Sequence, residues 1–230
     1  MDMNKTIVGT AILAAGMALC GLFVEFGIHQ FANKDRAVTV KGLSTREVKA
    51  DHAVWPLNLS INGNNLPALY KDLAQTQQTV TAFLIKKGFS ADDIQLGNTS
   101  VNDNWVNYYD RRPDNHYTLN SSVIVSTDNV DLVIACQGVL AELLNEGIIL
   151  NSYDWSLDYQ YNNLNELKPT MVEEATKNAR AVAQKFADDA NCRLGSIRRA
   201  NQGQFSVESD QNRPWIKHVR VVTTVDYYLN

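Results

Sequence analysis

The chain of 230 residues reads as an α+β protein: a mixed, largely antiparallel sheet carrying three helices, preceded by one N-terminal transmembrane or signal helix. Three observations predict this class. Several stretches alternate apolar and polar residues with period two. Others repeat apolar residues at helical period, and strands and helices alternate along the chain instead of segregating.

Composition bounds the function before any motif does. With 45% hydrophobic and 20% charged residues, the chain has ordinary globular chemistry and enough apolar material for a core. Residues 1–36 balance Lys5, Lys34 and Arg36 against Asp2, Glu25 and Asp35, so residues 37–230 carry the whole formal charge of −4. That mild acidity opposes binding to a phosphate backbone, and no nucleic-acid partner is expected. The organisation that follows is residues 1–36 as a signal-anchor segment with a short linker, and residues 37–230 as one α+β domain.

From Thr6 to Val24 no side chain is charged, and Ile7, Leu13, Leu19 and Val24 belong to this apolar run. As a helix at about 1.5 Å per residue it would span ~28 Å, close to the ~30 Å hydrocarbon core of a bilayer. A retained anchor, a cleaved secretory signal and a buried core helix all fit. The first two place the domain in the bacterial envelope, periplasmic or anchored to the inner membrane. No clean A-x-A cleavage site is present, and bulky Leu19 before Cys20 disfavours a lipoprotein. An oxidising compartment would permit a Cys136–Cys192 disulfide, but small buried thiols explain the same residues, so the pairing stays open.

The elements follow in order. Val38–Gly42 is a short strand. Ala53, Trp55, Leu57, Leu59 and Ile61 form an apolar row, and Pro56 inside it predicts an edge strand or a bulge. A helix over Leu66–Lys87 carries Leu66, Leu69, Leu73, Val80, Phe83 and Leu84 on one stripe and stops at Gly88. After a short strand at Ile94–Val101 comes the row Tyr117, Leu119, Val123, Val125. A second helix over Asn129–Glu146 has Asp128 as its expected cap and Gly147 as its stop. The row Tyr153, Trp155, Leu157, Tyr159, Tyr161 follows. Pro169 and Thr170 open a third, alanine-rich helix, with Glu173 at capping-box spacing and Val172, Ala175, Ala179, Val182, Phe186 and Ala190 facing inward. Ser196–Phe205 and the row Val219, Val221, Val225, Tyr227, Leu229 close the chain. Strand–helix–strand therefore occurs twice, a weak internal repeat, before the long C-terminal helix and terminal strands.

No catalytic residue, metal site or cofactor is predicted. His29, His52, His116 and His218 are widely spaced, and neither a zinc-protease motif nor G-x-S-x-G, a P-loop or G-x-G-x-x-G occurs. Neighbours on a strand point to opposite faces, so Asp51 and His52 cannot readily form a relay, and a turn role is expected for Asp51. The pairs Asp92–Asp93, Glu173–Glu174 and Asp188–Asp189 read as helix-end or solvated charge. The basic residues Arg193, Arg198, Arg199, Arg213, Lys217 and Arg220 read as solvated strand faces. The best local hint of function is the stretch from Trp105 to Tyr117. Here Trp105, Tyr108, Tyr109, Arg111, Arg112 and Tyr117 are residue types that anchor interfaces, against a loop folded back on its own domain. Tyr153, Trp155, Tyr159 and Tyr161 would line a ligand groove or simply pack a sheet.

The run Val38-Thr39-Val40-Lys41-Gly42 followed by Ala50-Asp51-His52-Ala53 resembles the opening of the SIMPL-domain (DUF541) family. The helix from Glu173-Glu174-Ala175 through Ala179, Ala183 and Ala187 into Leu194-Gly195-Ser196-Ile197 resembles that family's most recognisable stretch. The likeness covers residues 37–230. It departs at Ala50, where the family usually has proline, and near Asn191-Cys192, where glycine is usual. The resemblance implies an exported bacterial envelope protein, with some relatives linked to oxidative-stress defence and one periplasmic immunogenic relative forming a ring-like homo-oligomer. It supplies no catalytic residues. The resulting expectation is a non-enzymatic envelope protein that self-assembles as a homo-oligomer and meets the membrane through its N-terminal segment. A binding module for a small molecule or envelope polymer, and an enzyme with an unrecognised site, are the alternatives.

Overall fold

The computed structural model describes residues 13–25, 36–106, 113–150 and 157–230. Its helices are α1 (13–25), α2 (Leu66–Lys87), α3 (Val130–Gln137), α4 (Ala141–Asn145) and α5 (Leu164–Asp189). Its strands are β1 (Ala37–Lys49), β2 (His52–Gly63), β3 (Ile94–Leu96), β4 (Ser100–Asp103), β5 (Tyr117–Thr127), β6 (Asp158–Gln160), β7 (Leu194–Gln202), β8 (Ser206–Ser209) and β9 (Ile216–Leu229). The class is α+β as expected, but the strands form two sheets instead of one. Alternation identifies a strand without naming its partner, and β1, β7 and β9 pair across long sequence separations. The chain divides into two compact units, one of residues 1–46, 167–206 and 219–230, the other of 47–166 and 207–218.

The second unit contains a five-stranded sheet in the order β3-β5-β2-β6, with β4 also on β5. β2 and β5 pair antiparallel from Ala53↔Thr127 to Gly63↔Tyr117. That register puts Ala53, Trp55, Leu57 and Leu59 on the same buried face as Leu119, Val123 and Val125. Leu69, Leu73, Val80, Phe83 and Leu84 of α2, and Val130, Val133 and Cys136 of α3, complete this core. The strand–helix–strand runs around α2 and α3 interlock, because β3 pairs with β5 while β6 pairs with β2. Beside β2, β6 covers His52–Val54, so Pro56 falls in the stretch past that pairing, as its missing N–H requires.

α2 runs over the residues its pattern predicts. The Asn65 side chain accepts the Ala68 N–H, Pro67 sits in the first turn, and Gly88 ends the helix at φ 109°. The second predicted helix breaks in two around Gly138. Its cap is Asn129, whose side chain accepts the Leu132 N–H, and not Asp128, whose carboxylate is taken by His52. Gly147 does take a positive φ, 77°.

The first unit is built on the sheet order β1-β9-β7, whereas β8, which pairs with β9, lies past Ser206 in the second. α5 begins at Leu164, earlier than Pro169 and Thr170 suggested. The inward column of α5 is Met171, Ala175, Ala179, Ala183 and Ala187, all 0% exposed, while Val182 and Phe186 face solvent. The period allowed either stripe, and small size decides. Ala179 and Ala183 pack on Val40, Val225 and Tyr227. At Gly42 an added Cβ would run into the Ala175 carbonyl and lie 2.5 Å from the Ala179 nitrogen. Glycine is therefore required where strand and helix backbones meet. The predicted capping box is not formed at Glu173, which instead pairs with Lys177 one turn on.

The described part of the N-terminal segment, α1, is solvent-exposed along its length, including Leu13, Leu19 and Val24; Ile7 lies outside the described residues. Among the described residues no helix is long and apolar enough to cross a membrane. Residues 13–25 would span about 20 Å, less than a bilayer core, so the expected spanning helix is not met by these residues.

Replacing Gly42 by Ala should destabilise the protein by about 2–3 kcal/mol, the scale of overpacking against an unyielding neighbour. Urea unfolding of both forms measures it.

Candidate functional site

The short strands β3 and β4 lie along the same side of β5, pairing at Ile94↔Val125 and at Val101↔Leu119. Gly97 N–H donates to the Ser122 carbonyl between them, so residues 94–103 act as one interrupted edge strand. Gly97 lies close against β5, and an added Cβ would oblige the Ser122 hydroxyl to turn away. Ser121 breaks the apolar row of β5 at a buried position, and a local network satisfies it. Its hydroxyl receives Gln77 Nε2 at 2.9 Å from α2 and Thr99 Oγ1 at 3.3 Å, and reaches the Gly97 carbonyl at 3.3 Å. This ties α2 to the interrupted edge.

The other side of 94–103 has no neighbouring strand among the described residues. Beside it runs a groove of roughly 400 Å³, with Ala74, Gln78, Ala82 and Ile85 of α2 on one wall and Ile94 and Leu96 on the other. Leu96 is 61% exposed and Ile85 47%. Edge strands are usually blunted by lysine, proline or bulges. Here the run IQLGNTSVND contains no Lys, Arg or Pro. β7, by contrast, carries Arg198 and Arg199 and two register irregularities. Among the described residues the 94–103 edge is thus unpaired and free of Lys, Arg and Pro, its two strands being three and four residues long.

β4 and β5 form a hairpin, and the aromatic stretch predicted as an interface is its loop. Trp105 stacks on His116 at 3.8 Å between centroids, and His116 on Tyr117 at 3.8 Å. Trp105 Nε1 donates to the Pro113 carbonyl, and His116 Nε2 lies 3.2 Å from Asp103 Oδ1. Trp105 and Tyr117 are thus brought together, half-buried against their own hairpin. Tyr108, Tyr109, Arg111 and Arg112 lie outside the described residues.

A family model described as "SIMPL: Protein of unknown function (DUF541)" matches residues 38–220. The chain belongs to the SIMPL family. A search of curated proteins finds no match. The resemblance carried by the opening strand and the alanine helix therefore holds over most of the chain, and the family description assigns no chemistry.

Other polar groups of the SIMPL chain are held by local partners. Asp51 is structural: its two oxygens accept the backbone N–H groups of Asn162 and Asn163 at 2.8 and 2.9 Å, just before α5. His52 has Nδ1 2.7 Å from Asp128 Oδ1 and Nε2 3.0 Å from Ser126 Oγ, a partnership between strands that adjacency in sequence could not reveal. The order is that of a serine relay, but the Asp128 side chain is 90% exposed where a relay needs a buried carboxylate. Among the described residues no group of His, Cys, Asp and Glu converges to hold a metal. Cys136 and Cys192 are free, and burial pushes the Cys136 thiol up.

Tyr159 lies in the core at 3% exposure, edge-on to Trp215, with its hydroxyl 3.4 Å from Gln137 Oε1. It therefore lines no groove; Tyr153 and Trp155 fall outside the described residues, and Tyr161 is half-buried. Burial pushes the Tyr159 phenol up to about 12 from 10.0. The raised value means the folded chain keeps a proton that the unfolded chain sheds. Its stabilising contribution is full below pH 10.0 and is lost as pH rises towards about 12. Tyr159→Phe should flatten the alkaline loss of stability in that window, as followed by urea midpoints against pH.

Proposed function

We propose that this SIMPL-family chain is an exported envelope protein whose domain self-assembles by pairing a strand of a second copy with its open edge at 94–103. The observation that carries the reading is an unblunted edge beside an apolar groove, with Leu96 61% and Ile85 47% exposed. An added strand would satisfy the outward backbone groups and cover both side chains at once, the mode known as β-augmentation. The role is mechanical and requires no catalysis. Export rests on the uncharged run from Thr6 to Val24 and on the exposure of its described part, residues 13–25. That segment serves as membrane anchor or secretory signal, and the family resemblance supplies envelope or oxidative stress as the setting.

A second reading uses the same groove for an extended envelope polymer or a small ligand, supported by Gln77, Gln78 and Thr81 among its lining residues.

Light scattering of the soluble domain, residues 37–230, separates the two. Self-assembly predicts particles larger than one chain whose size grows with concentration and shrinks in Leu96→Lys and Ile85→Asp. A strict monomer at high concentration contradicts assembly and leaves the ligand reading. Trp105→Ala extends the test to the end of the edge, where unchanged particle size would remove the aromatic stack from the interface.

A further inference from the structure

The sheet of the first unit has an edge too, and its chemistry is opposite to that of 94–103. β7 pairs with β9 on one side, and its other side pairs with no strand among the described residues. From Ser196 to Gln202 every residue of β7 is exposed, so both faces of the strand reach solvent there. Ile197 is 50% exposed, and Arg198 and Arg199 follow it. The Arg198 guanidinium lies 5.9 Å from the centre of the Tyr228 ring, and neither arginine is ion-paired among the described residues.

The edge at 94–103 carries the other sign. Asp92 and Asp93 stand at its start in a short helical turn capped by Ser90, and neither is ion-paired among the described residues. Asp103 closes it, accepting the Trp105 N–H. No basic residue occurs from Ala91 to Asp103.

These charges discriminate between the ways two copies can pair. Antiparallel pairing of 94–103 with itself sets Asp103 of each copy opposite Ile94 of the other, next to Asp92 and Asp93, and this repulsion occurs twice. Antiparallel pairing of β7 with itself centres on Arg198 and crowds Arg198 and Arg199 of both copies together. β7 against 94–103 instead sets arginines against a strand flanked by aspartates, and exposed Ile197 and Leu96 are available to be covered. The arginines that blunt β7 towards another β7 therefore favour an acidic edge.

We propose that the strand seated on 94–103 is β7 of a second copy. This rests on the reading of 94–103 as the assembly edge and adds its partner. The contact joins two different surfaces, so a pair of copies held by one such contact still has one 94–103 edge and one β7 edge unfilled.

Two variants of the full chain test it, each with one edge disabled: Leu96→Lys on 94–103, and Arg198→Glu with Arg199→Glu on β7. The replaced side chains are all exposed, so the fold is kept, as circular dichroism checks. Each variant alone should need at least ~10-fold more protein than the wild type for half-assembly in sedimentation velocity, the scale of exchanging cross-strand attraction for repulsion. Mixed in equal amounts they should form a complex of one copy of each, because the intact β7 of the first meets the intact edge of the second. Native mass spectrometry with one variant isotope-labelled reads that ratio. A β7 variant that assembles like the wild type overturns the partner assignment while the assembly edge stands, and so does a mixture in which both variants stay monomeric. A wild type that is itself monomeric, or a Leu96→Lys chain that assembles unchanged, overturns the edge reading and this inference together.

Discussion

A backbone N–H or C=O withdrawn from water must find a partner, and this demand organises the five-stranded sheet. β5 meets it on both sides, with β2 along one and β3 and β4 along the other. β2 meets it fully towards β5 and briefly towards β6, and the uncovered stretch tolerates Pro56. The demand is passed outward to residues 94–103, whose far side pairs with no strand among the described residues. The remaining features of that region follow from holding this edge in place. Ser121 is polar inside an apolar row because it links Gln77 of α2 to Gly97 and Thr99. Gly97 lies against Ser122, whose hydroxyl an added side chain would push aside.

The other unit solves a different problem, how a helix can lie close to a strand. Alanines at four-residue spacing along α5, and Gly42 on β1, let two backbones approach without intervening side chains. Small side chains bury little apolar area each, so this contact depends on fit along its whole length more than on any one residue. The Asn178 side chain adds a polar tie to the Leu43 carbonyl at 2.8 Å.

Much of this was legible in the sequence where local rules govern. α2 could be bounded from Leu66 to Lys87 because Pro67 and Gly88 act within one turn of the helix ends. The rows through Trp55 and Val123 announced strands because one face is buried and the other is not. What required long-range information was not legible. The Asp51 carboxylate reaches Asn162 and Asn163 and fixes the start of α5, so Pro169 was a misleading opener. The choice between Ala183 and Val182 as an inward residue depended on packing against Val40, Val225 and Tyr227, far away in the chain. The hydrogen bond from buried Lys217 to Ser209 was hidden because a lone lysine on a strand reads as surface, and alternation alone does not reveal that β8 folds back on β9. The aromatic hairpin loop was visible as unusual, while its stacking on His116 needed the hairpin register.

Self-assembly by β-augmentation requires that copies meet at the strand edge of 94–103. Amide hydrogen exchange read residue by residue, in dilute and in concentrated solution, addresses it directly. Pairing predicts that amides within Ile94–Asp103 slow markedly on concentration while those of β2, already bonded to β5, change little. Exchange along 94–103 that is the same at both concentrations, in a sample that has nevertheless assembled, would contradict the account.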